Sequence, residues 1–251
     1  AKSFVSALVG TAIQKKVVAS EDERIQSYFE TEYNGINWAQ EKNKISIANL
    51  LTMSSGLDAI DFGLNRTSFA NESRFQNSED WSRYILSAPM VYPPGTSANY
   101  GSGSPHLISK ILEKSLQEPL EFYIHEALFK PLDIVNYRIQ LTNRDTPYFG
   151  GGWYITPRDL MKFGQMYLPS NHTIKPSVLS EEWIRKSIKK HTVLENTFDQ
   201  NEYGYLFWHK TYLINGKEIE SIECRGTGGQ YVFIIPKLDA VVVITSGNYS
   251  N

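Results

Sequence analysis

The chain has 251 residues, enough for one large domain or two small ones and for a sizeable core. Hydrophobic residues make up 41% and charged residues 21%, and the net charge is −2. No basic excess argues for nucleic acid or an anionic membrane surface. The single cysteine, Cys224, excludes an intrachain disulfide, and no apolar run approaches the roughly 20 residues that cross a bilayer.

In chain order, Phe4 to Ile13 is apolar on nearly every face, the pattern of a helix buried all round. It starts without a capping residue, which suggests that the helix begins before residue 1 and that a leader, if any, precedes it. Ile45 to Met53 reads as a short helix with Ile47, Leu50 and Leu51 inward and Gly56 as its stop. Tyr92-Pro93-Pro94-Gly95 is a turn. Ser104-Pro105 is expected to cap a helix carrying Leu107, Ile108, Ile111 and Leu112 at helical spacing.

Thr156-Pro157 repeats that device before Leu160, Met161, Phe163 and Met166, and Ser180-Glu181-Glu182 starts another helix. After about residue 203 the pattern becomes strand-like. Asn215-Gly216 reads as a hairpin turn, and Gln230 to Ile235 and Ala240 to Thr245 as strands joined at Pro236 to Asp239. The order implies an α+β fold: a mainly helical region over 20–200 and antiparallel strands over 203–251, within one domain.

Several phrases occur in a telling order. They are Ala1-Lys2-Ser3-Phe4, Ile47 to Leu57, Pro94-Gly95-Thr96-Ser97-Ala98-Asn99-Tyr100, Thr156-Pro157-Arg158-Asp159-Leu160, Tyr203-Gly204-Tyr205 and Gly228-Gly229-Gln230-Tyr231. Together they resemble the β-lactamase-related serine hydrolases, which include class C β-lactamases, penicillin-binding proteins, esterases, D-aminopeptidases and aminohexanoate-oligomer hydrolases. The resemblance covers essentially the whole chain. It implies a serine β-lactamase/transpeptidase-like fold, an antiparallel sheet flanked by helices with a helical subdomain across a cleft. It also implies that the family's N-terminal strands and closing C-terminal helix lie outside this sequence.

The resemblance implies an acyl-enzyme mechanism on a small ester, amide or lactam. Its first element is a Ser-x-x-Lys pair on one helix face. Lys2 matches the lysine, so the serine would lie three residues upstream of Lys2 and the chain as given would lack its nucleophile. Burial would be expected to depress the Lys2 pKa and let the amine activate the serine. Tyr100 matches the second element as proton shuttle, and Ser102, a substrate-binding candidate, stands where the family often has asparagine. The third element aligns Cys224-Arg225-Gly226 with a Lys-Thr-Gly strand. A carboxylate-bearing substrate would want a cation here, which makes Arg225 and Gly226 substrate-binding candidates. The Thr227 N–H is a candidate oxyanion-hole donor. Trp153, Tyr205 and Trp208 are candidate pocket walls.

Other readings carry less. Ser187-Ile188-Lys189-Lys190 repeats the Ser-x-x-Lys spacing in a charged, helix-surface context. His106, His125, His172, His191 and His209 show no zinc spacing, so neither metal nor cofactor is expected. A small-molecule substrate is the expected partner. The resemblance favours a periplasmic or extracellular setting, and the sequence does not specify an oligomeric state. The alternative is a non-catalytic relative that binds ligands or partners through the same cleft.

Overall fold

The first helix, α1 (Lys2–Gln14), buries every residue from Ser3 to Ala12, as its all-round apolar pattern demands. In this computed structural model, which describes residues 1–32, 34–36, 38–63, 67–170, 178–199 and 201–249, it is the central post of the core. His172 lies outside the described residues. At the N-terminal end of α1 the Phe4 ring stacks 3.8 Å from Phe163 and meets Phe129 edge-on and Trp153 at a tilt. That anchor fixes the turn carrying Lys2.

Short helices cover one side of the post. Helix α2 (Ile47–Leu51) is closed by a capping box between Ser46 and Asn49. It ends sooner than the sequence suggests. Thr52 caps it and Met53 is the residue at positive φ (59°) that follows the cap, while Gly56, also at positive φ (80°), serves the next turn. Helices α3 (Glu72–Gln76) and α4 (Trp81–Ser87) start at Asn71 and Asp80, whose side chains accept from the third helical N–H. Helix α5 (Gly103–Ser115) buries Leu107, Ile108, Ile111 and Leu112 against α1 and α2. Its cap is Ser102 rather than Ser104, and no side-chain bond closes it.

Helix α6 (Leu120–Ile124) runs into a wider turn over His125–Phe129. Strands β1 (Tyr137–Ile139) and β2 (Trp153–Ile155) then form a small antiparallel pair. Helix α7 (Pro157–Gln165) is capped by Thr156 as expected, and α8 (Glu181–Ser187) by Ser180.

The remaining strands are β3 (Thr192–Val193), β4 (Glu202–Tyr203), β5 (Trp208–Ile214), β6 (Lys217–Gly226), β7 (Gln230–Ile235) and β8 (Ala240–Ile244). Each pairs antiparallel with its sequence neighbour, so strand order follows chain order. The sheet begins at Thr192, inside the region expected to be helical. Asn215 and Gly216, both at positive φ, make the tight β5–β6 turn. One face carries Ile222, Cys224, Val232, Ile234, Val241 and Val243 into the core, where Gly164 of α7 lets Val232 and Val241 close in. The opposite face carries Tyr212, Glu223, Arg225, Tyr231 and Phe233.

Candidate active site

Two polar side chains meet where the start of α1 passes the loop entering α5. The Lys2 ammonium lies 4.8 Å from the centre of the Tyr100 ring and donates to the Gly150 carbonyl at 2.5 Å. Burial by itself pushes the Lys2 pKa down. The Tyr100 phenol, with Glu72 and Asp61 behind it, outweighs that and holds the lysine above its ordinary value. The expectation of a depressed lysine is therefore corrected: the neighbouring acids favour the ammonium form.

The Tyr100 backbone is held from three sides. Asn196, on the loop after β3, accepts the Tyr100 N–H through Oδ1 at 2.7 Å. Its Nδ2 donates to the carbonyls of Tyr100 at 3.1 Å and Phe62 at 2.9 Å. The Asp61 N–H also donates to the Tyr100 carbonyl at 3.1 Å. The phenol ring stacks on Phe62 at 5.3 Å, leans on Trp208 at 5.1 Å and meets Tyr203 edge-on. Gly101 makes this approach possible, because a Cβ there would lie 2.0 Å from the Ala59 carbonyl oxygen.

Ser102 is buried and its hydroxyl donates to Asp61 Oδ2 at 2.8 Å, as does its N–H. Asp61 Oδ1 accepts the Glu72 N–H at 2.9 Å, and Glu72 in turn takes the Tyr148 hydroxyl. Asp61 and Glu72 thus form a carboxylate layer under Lys2 that the sequence reading missed. The available signal was Asp61, set directly after the buried phrase Leu57-Asp58-Ala59-Ile60.

Strand β6 brings the third element alongside. Cys224 lies beside the Ser3 hydroxyl, and burial pushes its thiol up to about 11, far from a thiolate. Arg225 points to the other sheet face, where its Nε donates to Glu223 Oε2 at 2.7 Å and its Nη1 to Asn201 Oδ1 at 3.2 Å. Its guanidinium lies 4.7 Å from the centre of the Trp208 ring. Gly226 and Thr227 are exposed on the β6–β7 turn, which Gly228 and Gly229 close at positive φ.

The structure takes two expected pocket walls into packing. Trp153 donates to the Tyr148 carbonyl and lies against Phe4, Phe129 and Phe149. Tyr205 is buried between His191 and Trp183. Trp208 instead contacts both Tyr100 and Arg225. The second Ser-x-x-Lys dissolves: the buried Ser187 hydroxyl donates to the Ile184 carbonyl, and Lys190 pairs with Glu202 and Glu220.

A cavity of about 310 Å³ opens elsewhere, between α4, α5 and the 142–146 turn. Its floor holds Ser82 3.1 Å from His106 Nε2. Burial, reinforced by Lys110, pushes that histidine down to about 3, so it is a poor base. Among the described residues no cluster of three or more His, Cys, Asp or Glu could hold a metal, and no helix is long and apolar enough to cross a membrane.

The beta-lactamase family model matches residues 1–251. Solved structures share the fold. The octameric penicillin-binding protein homologue from Pyrococcus abyssi is 19% identical with a TM-score of 0.71, over 99% of this chain and 61% of that one. The penicillin binding protein from Bacillus halodurans is 18% identical with a TM-score of 0.73, over 98% of this chain and 79% of that one. A family VIII carboxylesterase is 13% identical with a TM-score of 0.71, over 98% and 75% respectively. The chain therefore spans about three fifths of the Pyrococcus abyssi protein. Among curated protein sequences none matches.

Proposed function

The chain belongs to the beta-lactamase family, and from that premise we propose that it is the greater part of a serine hydrolase acting through an acyl-enzyme on a small ester, amide or lactam. The nucleophile is a serine three residues before Lys2 in the longer coding sequence, one helical turn away on the same face. What supports this reading is the approach of the Lys2 ammonium to Tyr100, 4.8 Å from the ring centre.

Its neighbours favour the protonated form of Lys2, so in this reading the base toward the serine is Tyr100. The Lys2 ammonium stabilises a Tyr100 phenolate, which takes the serine proton as the hydroxyl attacks the acyl carbon; the resulting phenol gives that proton to the leaving group as its bond to the acyl carbon breaks. The Thr227 N–H and the serine's own N–H serve as the oxyanion hole, each worth on the order of 3 kcal/mol in the transition state. Hydrolysis of the ester by water completes the cycle. Every step uses side chains and backbone, so no cofactor enters this reading.

The test is a fluorophosphonate probe on the full-length protein, followed by a panel of nitrophenyl esters and β-lactams. Covalent labelling at the upstream serine, lost in Tyr100→Phe, is the expected result. A protein carrying that serine that is neither labelled nor active on any member of the panel would be a non-catalytic relative, and the reading would fail.

A further inference from the structure

The hydrolase reading leaves the substrate open, and the sheet face beside Tyr100 narrows it. Arg225 is one indole away from the phenol: Trp208 touches the Tyr100 ring at 5.1 Å and carries the guanidinium at 4.7 Å. A cation so placed looks ready to hold a substrate carboxylate. Its charge is already taken. Glu223 is completely buried, accepts from Arg225 Nε at 2.7 Å through one oxygen and from the Tyr212 hydroxyl at 2.9 Å through the other. Asn201 holds Nη1 at 3.2 Å. Turning Arg225 toward a substrate would leave a buried carboxylate without its cation, a state proteins avoid. On the other side of Tyr100, the Lys2 ammonium faces Asp61 and Glu72. Both cations near the phenol thus have carboxylates of their own, Lys2 facing Asp61 and Glu72 and Arg225 held by Glu223.

We propose that the Glu223–Arg225 pair is a specificity device that confines this site to acyl substrates lacking a carboxylate on the leaving group. The proposal rests on the hydrolase reading. It makes Glu223 a specificity-determining residue that acts through Arg225, and it places neutral and cationic esters or amides ahead of anionic ones. The bias is electrostatic, so it weakens as salt screens the site.

The experiment compares three acetate esters on the full-length protein at low ionic strength: methyl 3-acetoxybenzoate, its free acid 3-acetoxybenzoate, and 3-(trimethylammonio)phenyl acetate. The expected kcat/KM values for the neutral and cationic esters exceed that of the anionic ester by about tenfold or more, and the gap narrows at high salt. Glu223→Gln keeps an acceptor for Arg225 while freeing its charge, and raises the anionic-to-neutral ratio by about tenfold. Equal turnover of the anionic and neutral esters by a fluorophosphonate-labelled protein overturns the specificity alone. A folded Glu223→Gln variant with an unchanged ratio overturns the assignment to the pair. Absence of labelling together with no turnover of any of the three esters overturns the hydrolase reading beneath it. The three-ester series on the unaltered protein decides the specificity whether or not the variant folds.

Discussion

Asn196 holds Tyr100 by both its backbone N–H and its carbonyl, across a separation of 96 residues. One amide side chain therefore does for the tyrosine what a neighbouring strand does for a residue in a sheet. It fixes the direction of the phenol toward Lys2 while leaving the ring free for chemistry, and it ties the loop after β3 to the entrance of α5.

Asn196→Ala removes the partner of the Phe62 carbonyl and of the Tyr100 N–H, and leaves the Tyr100 carbonyl with the Asp61 N–H alone. The expected loss is about 1–3 kcal/mol of stability, read from the urea midpoint at constant slope. Ester hydrolysis by the full-length variant falls in kcat more than it rises in KM, because the tyrosine is displaced rather than removed. An unchanged kcat in a destabilised protein would refute a positioning role.

Tyr100→Phe keeps the stacking on Phe62 and Trp208 but removes the hydroxyl. The expected fall in kcat for a nitrophenyl ester is about 10²- to 10⁴-fold, with an unfolding midpoint close to that of the parent. Activity within a few-fold of the parent would remove Tyr100 from the chemistry.

Phe4→Ala strips the anchor under Lys2 and opens a cavity against Phe163, Phe129 and Trp153. A destabilisation of about 3–5 kcal/mol is expected by chemical denaturation. Any folded fraction is expected to be labelled more slowly by a fluorophosphonate, because the Lys2 turn has lost its footing.

His106 contributes to the acid side of the stability curve. Burial, then Lys110, holds it near about 3 against 6.5 for the free side chain. A group depressed in the folded state contributes fully above the unfolded value and loses that contribution as pH falls toward the folded one. Stability is therefore expected to decline from about pH 6.5 downward by on the order of 1 kcal/mol per pH unit. His106→Phe, which keeps the packing against Phe75 and Trp81 but forfeits the Ser82 bond, is expected to flatten that limb in urea melts at pH 7 and pH 4.5. An equally steep limb in the variant would assign the effect elsewhere.

Local signals were readable in the sequence where local physics decides. Thr156-Pro157 and Ser180 cap their helices, Asn215-Gly216 turns its hairpin, and the all-apolar α1 is buried on every side. The family phrases also brought Lys2 and Tyr100 forward. Contacts set by distant partners were not readable. Ser102, a substrate-binding candidate in the sequence, gives its hydroxyl to Asp61, a bond no local pattern announces. Gly56 invited a stop that Met53 supplies, because α2 ends on its inward leucine pair at Leu51 and Thr52 caps it. Arg225 was expected to be available, although strand alternation already put Glu223 on the same face two residues earlier. That pairing is one the sequence could have yielded.

The sheet and the site differ in how far apart in the chain their partners lie. Strands β3 to β8 zip together neighbour by neighbour, whereas Lys2 reaches Gly150 across 148 residues and Ser3 reaches the Leu206 carbonyl across 203. Contacts of short span carry a small loop-closure cost and form early; those of long span wait for the rest of the chain. Nascent chains of this protein should thus acquire a protected meander well before they acquire reactivity, and a catalytic assay timed against hydrogen exchange during refolding would see the chemistry switch on last.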